Sequence, residues 1–112
     1  MTFEQKKQAA FDALDVVGHG MHDATECLPN TRSACNLIEA RLREEIDEFG
    51  EDSNAKEVDR LRRRMHTVRY LYYDVAEAAE FNHEEMAKVK VQCYRLVMAI
   101  DDILYNRDGG KR

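Results

Sequence analysis

The chain has no tryptophan, one proline and five glycines in 112 residues, and each scarcity narrows what it can be. Sheet sandwiches and barrels need turn residues at short intervals, and proline-rich or collagen-like segments need far more of both residue types, so neither class is provided for. The three cysteines are odd in number and lack close pairing, which argues against a disulfide scaffold and makes the reducing cytoplasm the expected location. No apolar run is long enough to cross a bilayer, and no secretory or transit segment is recognised at the start. Positive charge is in deficit: 17 Lys and Arg against 22 Asp and Glu give a net charge of −5, which weighs against a general DNA-binding protein.

Helical periodicity is what the chain has in abundance. One heptad register runs through Val58, Leu61, Met65, Val68, Tyr72, Val75 and Ala79, then Met86, Val89, Cys93, Leu96, Ile100 and Ile103, interrupted only at Asn82. Alternating steps of three and four keep one stripe toward a neighbouring helix, which is the pattern of bundles and coiled coils. Upstream, Thr2 and Gln5 form a capping box, followed by the stripe Ala10, Leu14, Val17, Met21, Ala24, Leu28, with Pro29 as its stop. Gly18 and Gly20 lie inside this helix, so a kink or local opening is expected there. A second helix carries Cys35, Ile38, Leu42, Ile46 and Phe49 and stops near Gly50, and Asn54 with Glu57 caps a third.

The expected fold is all-α: an antiparallel bundle of three to four helices, at approximately 2–28, 31–49, 54–81 and 83–106, forming one domain over 1–107 with a flexible tail at 108–112. The junction at Asn82 leaves two architectures open. Either the chain turns back at 80–83, with Asn82 and Glu85 as a further cap, or one helix continues from about 54 to 106, roughly 80 Å long at 1.5 Å per residue, and buries its seam against another subunit. A second apolar stripe on the last helix, Val91, Tyr94, Met98 and Tyr105 with Ala87, lies off the first and predicts a homodimer interface.

Chemistry has few places to sit. On helix 1, Asp15, His19, His22 and Glu26 step by four, three and four along one stripe, a spacing of imidazole and carboxylate that suits a transition metal. Cys27 and Cys35 offer a variant set with the two histidines, and Glu80 with His83 has the Glu-x-x-His form of di-iron bundles, without the second such motif that those require. On helix 3, Arg62, His66, Arg69 and Tyr73 share an outward stripe within the run Arg60, Arg62, Arg63, Arg64, Arg69, a surface for an acidic protein or, alternatively, for nucleic acid. The acids of helix 2, Glu39, Glu44, Glu45, Asp47, Glu48 and Glu51, would lie opposite these arginines across a short loop. Glu45 falls on the apolar stripe of helix 2 and therefore needs a partner, Arg41 or an arginine of helix 3.

Two enzyme families share short fragments with the chain. Residues 43–49, with Glu45 and Glu48, resemble the first acidic helix of MazG-type nucleotide pyrophosphohydrolases, whose two carboxylate pairs hold magnesium. The second pair would be Glu77 and Glu80, which departs from the pattern at its last position and projects away from the heptad seam. Arg60 followed by His66 is similar to the motif of HEPN ribonucleases, but the polar residue after the arginine is Leu61, a seam position. The expectation is therefore a small non-enzymatic helical interaction protein, of accessory, inhibitor, immunity or adaptor type, that binds a macromolecular partner, most directly a protein, through helical faces. Its binding residues would be Arg62, His66, Arg69 and Tyr73, and no cofactor is expected beyond the helix 1 metal of the alternative reading.

Overall fold

In the computed structural model, four helices follow one another: α1 Phe3–Ala24, α2 Pro29–Glu48, α3 Ala55–Ala78 and α4 His83–Gly109. The structure describes residues 1–109, and side chains through Leu104; the side chain of Tyr105, and residues 110–112 of the expected tail, lie outside the described residues. The loops are short, so consecutive helices pack as neighbours, and α1 closes the bundle by packing along α4. No helix among the described residues is long and apolar enough to cross a membrane.

The chain turns at 79–82, which excludes the single long helix. Phe81 N–H donates to the Ala76 carbonyl at 3.0 Å and Glu80 N–H to the Glu77 carbonyl at 3.0 Å, with Glu80 in the left-handed region at φ 57°. That pattern is the Schellman helix stop, which ordinarily uses glycine at the left-handed position. Asn82 then caps α4, its Oδ1 accepting from Glu85 N–H at 2.9 Å.

The first loop differs from expectation. α1 ends at Ala24 rather than near Leu28, and Pro29 opens α2 instead of closing α1. The helix ends where Thr25, buried with its hydroxyl on the Met21 carbonyl at 2.9 Å, leaves helical geometry at φ −98°, ψ 13°, and the chain tightens into three-residue turns, with Glu26 N–H donating to the Asp23 carbonyl at 3.4 Å and Leu28 N–H to the Thr25 carbonyl at 2.9 Å. Proline suits the first helical position, where its missing N–H costs nothing. α1 also passes through Gly18 and Gly20 as one unbroken helix.

The core is the heptad seam together with its counterparts. Val58, Leu61, Met65, Val68, Tyr72 and Val75 of α3 and Val89, Cys93, Leu96, Ile100 and Ile103 of α4 are buried against Leu14, Val17 and Met21 of α1 and Cys35, Leu42 and Ile46 of α2. Phe3 and Phe49 stack at 6.4 Å between ring centroids. Beside them Lys7 is buried and donates from Nζ to the Asp47 carbonyl at 2.7 Å, supplying a cation to the last turn of α2, which has no basic residue of its own.

Candidate functional site

The polar centre of the bundle lies under the α1–α2 seam and is built around Glu39. Stepping from Cys35 by four, three, four and three gives Glu39, Leu42, Ile46 and Phe49, so the heptad puts Glu39, not Ile38, in line with the buried positions of α2. Its Oε1 accepts from the hydroxyl of Tyr72 at 2.5 Å and, more weakly, from the Cys35 thiol at 3.9 Å. Tyr72 is fully buried, and its phenolic oxygen finds in this carboxylate the partner that burial demands. Gly18 makes the arrangement possible. A Cβ there would stand 2.9 Å from Glu39 Oε2 and 3.0 Å from Oε1, whereas one on Gly20 would come no closer than 3.9 Å to anything, that being the Gln92 side chain.

The buried acids around Glu39 keep their protons. Burial pushes the Cys35 thiol up to about 12, with the charge and hydrogen bond of Glu39 adding to the rise. Burial likewise holds Tyr72 well above the ordinary phenol range, again with Glu39 contributing. Cys93 rises to about 11 through burial, opposed by Arg69. A thiol kept protonated is neither nucleophile nor metal ligand at neutral pH.

Above Glu39 the α1–α2 surface opens into two adjoining cavities of about 690 and 460 Å³ that share Asp15, Glu39 and Arg43. Asp15 and Arg43 form an ion pair across it, and the Arg43 guanidinium lies 5.8 Å from the centroid of Phe11. Of the helix 1 stripe, Asp15 is thus held by Arg43. His22 lies against the Arg32 guanidinium at 2.7 Å, and His19 lines the smaller cavity. Glu26 falls beyond the end of α1, in the turn, and is exposed. Cys27 is exposed while Cys35 is buried. Among the described residues no three His, Cys, Asp or Glu side chains converge as a metal site.

On α3, Arg62 and His66 are exposed and Tyr73 is half-buried against the core. Arg69 folds back over its neighbour Tyr70, with Cζ 5.0 Å from the ring centroid and a 3.3 Å hydrogen bond to the Tyr70 hydroxyl. The four residues therefore share a direction, but only the first two are fully presented to solvent. Glu45 meets Arg64 of α3 at 3.3 Å, the helix 3 partner rather than Arg41, which is exposed. Glu45 stands near the start of α3 while Glu77 and Glu80 stand at its far end, so the two MazG-like pairs do not meet.

The outer face of α4 is a different kind of surface. Val91, Tyr94 and Met98 are 49%, 64% and 43% exposed, while Val89, Cys93, Leu96 and Ile100 on the same helix are buried. Other large exposed apolar side chains, Val16, Leu37 and Tyr70, stand one to a helix, and single ones are ordinary on a protein surface. Three at helical spacing form a stripe. It borders a groove of about 260 Å³ between the beginning of α1 and α4, where Met1 and Ala9 face Tyr94 and Met98. Compared with protein-family models, curated proteins and solved structures, the chain finds no match in any of the three.

Proposed function

We propose that this chain is a non-enzymatic helical interaction protein whose working surface is the outer face of α4. The observation that carries the reading is the exposed stripe Val91, Tyr94, Met98, placed at three- and four-residue steps on a helix whose opposite side is already committed to the core. A helix that is apolar on two sides is stable in water only at the cost of exposed apolar area, and docking a second helix against the free stripe removes that cost. The enzymatic alternative draws no support from the two acids that face Glu39, since burial holds the Tyr72 and Cys35 protons tightly.

The test is a photo-reactive residue at position 94 in cells expressing the chain, with the same probe at Asp59 on the outer side of α3 as control. A discrete cross-linked product from position 94 that is absent from position 59, and abolished by Val91→Ser with Met98→Ser in a chain that keeps its helical signal and melting temperature, is the expected result. No product above the control would refute the assignment of α4.

A further inference from the structure

The charges immediately flanking the α4 stripe, those inside Glu84 on the same edge, are ordered along the helix, and that order is self-complementary. Lys88 and Lys90 precede the apolar residues and Asp101 and Asp102 follow them, all four being exposed. On a helix at 100° per residue, Lys88 and Asp102 fall on one edge of the stripe and Lys90 and Asp101 on the other. Resting on the reading of α4 as the working surface, we infer that the occupant of this face is α4 of a second copy of the chain, packed antiparallel about a two-fold axis near position 95.

A two-fold axis perpendicular to two antiparallel helices brings each edge of one against the same edge of the other, with the sequence direction reversed. Centred near 95, it sets Lys88 opposite Asp102 of the other copy and Lys90 opposite Asp101, each pair counted twice by symmetry. The same centring lays Val91 of each copy beside Met98 of the other, with the two Tyr94 rings near the middle. The parallel alternative would align lysines with lysines and aspartates with aspartates, so the charge order selects direction as well as partner. Arg95 lies nearest the axis and is the one charged position among these that faces its own kind. It stands on the rim, where water screens the repulsion. The contact rests on one helix pair, so it belongs at the small end of stable interfaces.

The experiment is light scattering and sedimentation of the purified chain over rising concentration, at low and moderate salt, beside two variants. One carries Lys88→Asp and Lys90→Asp, leaving both ends of the stripe acidic; the other carries Asp101→Lys and Asp102→Lys, leaving both ends basic. The wild type is expected to dimerise, each variant alone to weaken dimerisation by about tenfold or more, and an equimolar mixture of the two to recover it as a heterodimer. All the substitutions are on exposed positions, and an unchanged melting temperature checks the fold. A monomeric wild type at the highest concentration, variants that dimerise like wild type, or a mixture that stays monomeric would each overturn the inference. If the chain is monomeric yet the position 94 probe still captures another protein, the α4 surface stands and only the identity of its occupant falls.

Discussion

Raising the pH should unfold this protein from its centre, and the size of the effect follows from three buried acids. In the folded chain Cys35 titrates near 12 and Cys93 near 11, each against an ordinary value of 9.0; Tyr72 is held well above its ordinary 10.0. Because every one of these values is raised, the stabilisation they reflect is complete below about pH 9. It is lost as pH rises, when the unfolded chain releases protons that the folded chain must keep. Each group costs about 1.4 kcal/mol per pH unit once its ordinary value is passed. At about pH 10.5 the two thiols together remove about 4 kcal/mol and Tyr72 about 1 more. Set against a usual folding stability of roughly 5–15 kcal/mol, that loss brings the alkaline midpoint within reach. Urea denaturation followed by far-UV circular dichroism, in reductant, from about pH 8 to about pH 10.5 measures it. Cys35→Ala combined with Cys93→Ala should leave only the Tyr72 contribution, so the slope of stability against pH, and not merely its level, must shrink. A stability that stays level to that pH, or a double variant that falls as steeply as wild type, would refute the reasoning.

Two further outcomes test particular contacts. Tyr72→Phe keeps the buried ring but deletes the donor to the Glu39 carboxylate; it should lower stability by about 2 kcal/mol, measured by urea denaturation at neutral pH, and a neutral substitution would mean the bond contributes nothing. Glu80→Gly relieves a left-handed backbone that glycine adopts freely, offset by the greater freedom of glycine in the unfolded chain, and should raise stability by about 0.5–1 kcal/mol. A thermal melt that does not move upward would count against that account of the turn.

Most of the fold was legible because its signals are local or periodic. Thr2, Asn54 and Asn82 all accept from the backbone three residues on, and the heptad from Val58 to Ile103 names the buried face of both later helices. The junction between them was less so. A helix stop usually advertises itself with glycine, whereas here Glu80 takes the left-handed conformation, and Phe81 packing on the core helps to hold the turn. Pro29 misled for the opposite reason: proline both follows helices and begins them, and here the chain has already turned at Thr25, with Leu28 N–H donating to the Thr25 carbonyl at 2.9 Å, a contact that periodicity does not register.

Glu39 was harder to see, because its place depends on residues far away in sequence. Beside it stands Ile38, and a reading that looks for apolar residues takes the isoleucine, which does pack against the core and is half-buried like Glu39 itself. The heptad steps from Cys35 to Leu42 pass through Glu39, so the signal was geometric and was overruled by residue type. This half-buried carboxylate sits at the edge of the core where α3 delivers the Tyr72 hydroxyl to it and α1 leaves out a side chain at Gly18. Neither helix shows in its own sequence that it does so. The outer stripe of α4 presents the converse case. Val91, Tyr94 and Met98 are apolar and helically spaced, yet among the described residues they stay 49%, 64% and 43% exposed. Spacing alone therefore identifies an apolar face without saying whether what packs on it lies within the chain or outside it. What the outer stripe adds to spacing is the charge order at its edges, for Lys88 and Lys90 before Asp101 and Asp102 are complementary to the same helix reversed, and it is on that order that the proposal of a second copy rests.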